Sequence, residues 1–403
     1  MRGTRAPRIS TASVAIAGWR RPKHVTTPRT SCGTTRTSLR SRRPRSPPHQ
    51  KGRRVNRTVA TVEPPASWGS NDLAALARSL GSPWYRLVAD LHDIIQVTTQ
   101  RYATSRGLKS LFLPVTTRTV TCPTALGSDS MPVPVAVSGV NTYLADSMQF
   151  ALEYGCRVAP GGCYTILPSF RGEDQDETHL GQYTHSEAEI PGDMNALIEY
   201  VTGYVRALAG AILDGVGDRL AEARGDVSHL VRMVETKGKF AELTFGEAVR
   251  TVADVEGTVR DEGEWRTLTR KGERLLMQRV SEFVWVHHFD SLAVPFYQAF
   301  GDESRTTAKS ADLYFGMGEV VGSGERHTSA EELRKSMALH GVNEQEYAWY
   351  VRMKEDVPVL TSGFGMGVDR FLMWVLKHDD IRDMPLISRT DEPKSWPASV
   401  TRP

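Results

Sequence analysis

The stretch TSGFGMGVDRFLMW, Thr361 to Trp374, decides how the rest of the chain is read. Glycine occupies three alternate positions, Gly363, Gly365 and Gly367, and Asp369 and Arg370 follow at the head of an apolar helical run. Alternate residues of a strand share one face, so one face here is stripped of side chains. Glycine weakens a strand interior unless another body must approach the backbone closely. A flat group such as a nucleobase fits such a face, and a guanidinium near a helix start suits phosphate. A glycine-rich strand packed under a helix gives the same pattern. The dinucleotide fingerprint GxGxxG is excluded, because Val368 stands where it needs glycine.

The chain around this stretch has 403 residues, room for one large domain or two ordinary ones. Its four cysteines, Cys32, Cys122, Cys156 and Cys163, lack metal-type spacing, and so few point to a reducing, cytoplasmic compartment. No apolar run reads as a membrane helix. The net charge of +3 conceals a division. The first acid is Glu63, and 14 Arg and 2 Lys precede it. Of the 50 basic residues those 16 lie in the tail, which leaves 34 against 47 acidic ones in the body. Residues 1–62 read as a disordered basic tail, too poor in apolar residues to build a core. Such a tail suits a nucleic-acid arm, a transit-type peptide, or an upstream start with the protein itself beginning near Val55. The acidic body argues against a broad nucleic-acid-binding surface there.

Hydrophobic spacing predicts helix from about Asn71 to Arg106, broken at Gly81–Pro83. Ser110–Pro123 reads as strand-like, and NTYLADSMQFALEYGC as a strand feeding a helix. GGCYTILPSFRGE and LGQYTHSEAEI read as paired strands around the polar loop DQDETH. A long amphipathic helix follows, with Ile198, Val201, Val205, Leu208 and Ile212 on one face. Residues 214–281 read as charged, mostly helical and without a motif. EFVWVHHF and VPFYQAF read as strands, and NEQEYAWYVRM opens on a capping box of Asn343 and Glu346.

Two further clusters carry chemistry. With Ile166 and Phe170 buried on one side of the hairpin, the other carries Arg171, Glu173, His179, Tyr183, His185, Glu187 and Glu189. That face suits a phosphate and a base edge, or simply cross-strand ion pairs in water. In DLYFGMGEVVGSGERH, Asp312 and Glu319 suit Mg²⁺ carried with nucleotide phosphate, and Arg326 suits a small carboxylate or amide.

Together these segments resemble the class II aminoacyl-tRNA synthetases of the aspartyl/asparaginyl branch. SFRGED…THLGQY is similar to motif 2 of that family, GFGMGVDR to motif 3, DLYFGMGE…GSGERH to its metal and substrate segment, and ADSMQFALE to its amino-acid-holding segment. The resemblance runs from about Leu108 to Thr390. It implies an α+β fold, an antiparallel sheet flanked by helices, over residues 63–403, usually in a homodimer. It implies an ATP- and Mg²⁺-dependent ligase that makes an aminoacyl-adenylate from asparagine, aspartate or a relative. By that resemblance Arg171 holds the α-phosphate and substrate carboxylate, Glu173 reads the adenine amino group, and Tyr183 stacks on adenine. His179 and Arg370 contact the terminal phosphates, and adenine lies on the strand bared at Gly365 and Gly367. Asp312 and Glu319 bind Mg²⁺. Ser147, Gln149 and Glu153 hold the amino acid, and Arg326 its side chain.

Departures bear on these roles. Thr178 replaces an arginine of the family pattern, Gln182 a glutamate, and Leu152 a lysine typical of aspartate-specific members. A neutral side chain beside Glu153 favours an amide donor over a second carboxylate. The basic tail and one helical segment stand where the branch carries an anticodon-binding barrel, as in stand-alone asparaginyl-tRNA synthetase paralogues, some of which make asparagine. The acceptor is therefore ammonia, another amine, or tRNA. A non-catalytic tRNA- or nucleotide-binding paralogue is the alternative.

Overall fold

A computed structural model describes residues 62–65 and 73–387. Of the basic tail only its last residue, Val62, falls within that range; the rest lies outside the described residues.

Helices α1 (Leu73–Gly81) and α2 (Pro83–Ser105) are divided at Gly81–Pro83 as expected. Ser82 caps α2 by accepting from Trp84 N, and Pro83 occupies the first turn, where a missing N–H costs nothing. The chain then runs through β1 (Lys109–Ser110), β2 (Thr116–Thr117), β3 (Val133–Val137), β4 (Val140–Leu144), α3 (Gln149–Val158), β5 (Cys163–Phe170) and β6 (Gln182–Pro191). Next come α4 (Met194–Arg224), α5 (Ser228–Glu235), β7 (Ala241–Thr244), α6 (Phe245–Val252), β8 (Val259–Asp261), β9 (Arg266–Leu268) and α7 (Arg270–Arg279). Strands β10 (Val284–His287), β11 (Ser310–Phe315) and β12 (Gly318–Glu325) precede α8 (Ala330–Leu339) and α9 (Ala348–Asp356). Strand β13 (Thr361–Gly367) and α10 (Val368–Leu376) complete the series.

One eight-stranded sheet has the order β1-β5-β6-β13-β12-β11-β10-β7. Its central pairings are antiparallel, as expected, but both edge strands, β1 and β7, pair in parallel, so the sheet is mixed. On one face Ala188, Ile190, Phe364, Met366, Leu313 and Val321 join the apolar side of α4 in the main core, together with Trp84, Leu87 and Leu91 of α2. Register places the other set of residues on the opposite face: Gly363, Gly365 and Gly367 lie beside Glu189, Glu187 and His185 of β6, and Gly365 beside Gly322 of β12. By length and composition α4 could span a bilayer, contrary to expectation, yet half of its apolar window is buried inside the protein; it is a core helix.

Several local expectations need correction. Ser110–Pro123 is mostly irregular: Pro114 and Pro123 lack donors, and the Thr121 and Cys122 N–H groups bond the Asp146 carboxylate instead of a neighbouring strand. VPFYQAF is no strand but a turn with single bridges, Gln298 to Arg326 and Phe300 to Ala308. Its turn closes from Gln298 N to Pro295 O. Asn343 caps a short 3₁₀ turn, Glu344–Tyr347, rather than forming a reciprocal box. Residues 214–281 include the edge strand β7 and the hairpin β8–β9. Ile166 and Phe170 are only half-buried, whereas Glu187 and Glu189 are fully buried, so the β6 face is not a solvated row of ion pairs.

Candidate active site

The bare glycine face floors a cleft of two adjoining recesses, of about 500 and 1180 Å³. Arg171, His179, His185, Glu319, Gly365 and Arg370 line both. The glycines answer to different needs. A Cβ on Gly363 would fall inside the Glu189 carboxylate and strike Gln149 and Arg326. A Cβ on Gly365 would come no closer than 3.5 Å to Glu187, and one on Gly367 no closer than 3.7 Å to Arg370. Packing thus dictates glycine at 363. At 365 and 367 the protein has room for a side chain, and the space belongs to the cleft.

At one end Arg171 follows β5 directly. Its Nε donates to Tyr183 Oη at 2.8 Å, and its guanidinium stands 3.7 Å from Glu173. Tyr183 lines the smaller recess, with His185 edge-on to its ring at 4.7 Å. Burial, and then Arg171 and Arg370, hold His185 down to about 3, so it is neutral. Arg370 donates to the Glu319 carbonyl at 3.0 Å. Asp369 accepts from Thr184 N at 2.8 Å and so fixes α10 to β6. Glu173 does not line the cleft; its carboxylate accepts from Met131 N at 3.0 Å at the rim. His179 contacts Asp176 at 3.2 Å and Arg270 of α7 at 2.9 Å. Thr178 N and Oγ1 both bond Asp176 at 2.7 Å.

The acids lie behind Arg370. Asp312 on β11 and Glu319 on β12 converge over Gly322, whose added Cβ would lie 3.0 Å from Glu319 and 3.6 Å from Asp312. A third acid, Glu273 of α7, joins them: its carboxylate lies 3.4 Å from Glu319 N. Burial, and then the Glu319 and Glu273 charges, push Asp312 well above the usual carboxylate range. Burial, and then Glu319, push Glu273 up to about 7. Such crowding of hard oxygens suits a divalent cation. No set of three His, Cys, Asp or Glu side chains forms a ready cage among the described residues, so a cation here needs phosphate or water oxygens as well.

At the other end Glu187 accepts from Ser147 Oγ, from Met148 N at 2.9 Å and from Gln149 Nε2 at 3.3 Å. Burial nevertheless pushes it up to about 7. Gln149 also donates to the Phe364 carbonyl at 2.8 Å and accepts from Arg326. Arg326 forms a bidentate pair with Glu189 and donates to Gln298 Oε1 at 3.0 Å. Glu153, expected here, lies outside the cleft. Lys354, Tyr350 and Arg157 take its carboxylate. Leu152 packs into a small apolar cluster with Ala145, Met148, Cys156 and Cys163.

Glu187, Glu189, Gln298, Glu273 and Arg270 were not singled out as ligand-binding residues from sequence. For Glu187 and Glu189 a signal is present, since they alternate with Tyr183 and His185 on one strand face, though only the sheet pairing sets them opposite the glycines. For Arg270 and Glu273 there was none, because RKGERLLMQR reads as an ordinary surface helix.

Residues 86–391 match the family of tRNA synthetases class II (D, K and N). The asparagine–tRNA ligase of Thermoplasma acidophilum is 28% identical over 274 residues, 66% of this chain and 62% of that protein. The cytoplasmic asparagine–tRNA ligase of Homo sapiens is 28% identical over 262 residues, 62% of this chain and 46% of that protein. The chain thus spans about half to three fifths of the length of the curated relatives it matches. Asparaginyl-tRNA synthetase from Pyrococcus horikoshii, complexed with asparaginyl-adenylate, superposes with a TM-score of 0.71 at 21% identity, covering 79% of this chain and 73% of that one. The Entamoeba histolytica enzyme with the same ligand gives 0.68 at 23%, covering 78% and 69%. At these identities the likeness bears on the fold alone.

Proposed function

Because the chain belongs to the class II tRNA synthetases of the D, K and N type, we propose that its cleft activates asparagine, or a close relative, as the aminoacyl-adenylate. One observation carries the reading. Across a strand with unfilled space at Gly365 and Gly367, arginines and acids gather at one end, and a buried polar set built around Arg326 at the other.

In this reading the adenine lies on Gly365 and Gly367 beside Tyr183. Arg171 orients the α-phosphate and the substrate carboxylate, and Arg370 and His179 hold the terminal phosphates. Glu187, with Ser147 and Gln149, accepts the substrate ammonium. Arg326 donates to the side-chain carbonyl. Glu187 in the recess and Glu189 behind Arg326 already outnumber that guanidinium, so a second substrate carboxylate is disfavoured and a neutral amide favoured. The substrate carboxylate attacks the α-phosphorus, its P–O bond forms as the bond to pyrophosphate breaks, and no protein nucleophile takes part. The chain contributes positioning and a fixed field at the developing charge. Mg²⁺, where bound, would be held by Asp312 and Glu319 and would neutralise the leaving pyrophosphate.

The chain in this reading acts as a homodimer in the cytoplasm. Support for pairing comes from Phe112, fully exposed just beyond the edge strand β1, and from the exposed Tyr154 and Val158 of α3. "Cytoplasmic" occurs in the names of the Homo sapiens and Encephalitozoon cuniculi relatives. The acceptor is tRNA or a small amine. Incubation with ATP, Mg²⁺ and labelled asparagine, followed by rapid gel filtration, tests the proposal. Adenylate carried with the protein supports it, and label eluting only as free asparagine counts against it. Adding tRNA or ammonia to the isolated complex then identifies the acceptor.

A further inference from the structure

Arg270 stands in the first turn of α7, behind the Thr269 cap. Its Nη2 lies 2.9 Å from His179 Nδ1 and 3.5 Å from Asp176 Oδ2. His179 lines both recesses, so this guanidinium, itself outside the lining, stands directly behind a residue of the cleft, with its charge felt at Glu273 of the acid cluster. The neighbouring loop position, where the family pattern has arginine, is Thr178, and its hydroxyl is committed to Asp176. The cation beside His179 therefore comes from α7 and not from the loop.

Arg171 and Arg370 each spend one N–H within the protein, on Tyr183 and on the Glu319 carbonyl, and Arg270 adds a third guanidinium at this end. Arg270 is 42% exposed, and its carboxylate partner Asp176 is equally exposed. A pair so exposed is held weakly. Its other partner, His179, is pushed toward the neutral form by burial and by Arg370, against the pull of Asp176. A phosphate offers a guanidinium a stronger, two-pronged partner than either. One turn further along the same helix, Glu273 reaches the acid cluster, so α7 brings both a cation and an acid to this end.

We propose that Arg270 binds the terminal phosphates of the nucleotide, supplying from α7 the charge that Thr178 does not carry. The proposal rests on the nucleotide reading of the cleft. Its test is calorimetric titration of wild type, Arg270→Ala and Arg270→Lys with ATP and, separately, with AMP, in Mg²⁺. Because Arg270 is exposed, the variants are expected to melt with the wild type. Arg270→Ala is expected to weaken ATP by about ten- to a hundredfold, the span of a hydrogen bond to a charged group. It is expected to leave AMP unchanged, with Arg270→Lys in between. Equal ATP affinity in wild type and Arg270→Ala overturns the proposal. So does an equal loss for ATP and AMP, which would make Arg270 only a clamp on the loop. A wild type that binds neither nucleotide overturns the reading of the cleft, and this proposal with it.

Discussion

Arg326 and Glu189 form a fully buried bidentate pair, Nε and Nη2 each 3.0 Å from a carboxylate oxygen, and Gly363 lies opposite Glu189 in the sheet with no room for a methyl group. Two glycines on one strand face should therefore fail differently. Gly363→Ala has to displace the pair, and overpacking of this kind costs about 1–3 kcal/mol. It should lower the melting temperature and impair use of the amino acid. Gly365→Ala meets only ordinary contacts. It should melt within a few degrees of wild type yet lose ATP affinity, because its methyl group enters the cleft. Melting curves and ATP titrations of both variants check this.

Lys354 is expected to act as a structural partner of the amino-acid end. Its buried ammonium bonds Glu153 and the carbonyl of His327, the residue after Arg326. Removing one member of a buried pair costs about 3–5 kcal/mol, because the other charge stays buried alone. Lys354→Met and Glu153→Gln should each destabilise by that order, and the double variant by clearly less than their sum. Chemical denaturation of the four proteins measures the coupling.

The pH dependence follows from Glu187. Burial raises it to about 7 in the folded protein, from an ordinary value of 4.5. The folded state therefore holds an extra proton between those values, and stability falls as pH rises through that window. Relative to Glu187→Gln, the wild type should gain stability on the order of 3 kcal/mol as pH falls from 8 to 4.5. Binding of a substrate ammonium needs the ionised form, so amino-acid affinity should weaken below about pH 7 in wild type and lose that dependence in the variant.

Phe112 tests pairing of the chain. Placing a charge at this fully exposed apolar position, as in Phe112→Asp, should leave folding intact and give a monomer mass by light scattering. An unchanged mass, dimeric or monomeric in both proteins, would remove Phe112 from the interface.

The sequence made the cleft floor legible in two pieces, because a period of two marks one face of a strand: the glycines fell on one face of theirs, and Glu187 and Glu189 on one face of the hairpin, while the pairing of β6 with β13 joins them into one surface. It also brought Arg171, Asp312, Glu319, Arg326 and Arg370 within reach of one another. It misplaced Glu153 for a geometric reason. Four residues on from Gln149 is the same helix face, but it is also about 6 Å further along the axis. That rise carries Glu153 past the cleft to Lys354. Arg270 and Glu273 stayed hidden because only tertiary packing decides which side of α7 meets the sheet. The turn at Val294–Phe300 has the apolar, aromatic composition of a strand because its side chains are buried under the neighbouring helices; Phe296 and Tyr297 pack in one cluster with Tyr350 and Leu333.

This cleft is expected to join an amino acid to AMP. Exchange of labelled pyrophosphate into ATP, measured in Mg²⁺ with asparagine and with aspartate separately, tests it most directly. Exchange is expected to depend on asparagine, to be much weaker with aspartate, and to be lost in Arg171→Ala. Exchange driven by aspartate in preference to asparagine would contradict the reading of the Arg326–Glu189 pocket. Absence of exchange with both, and with the other amino acids, would contradict adenylate formation itself.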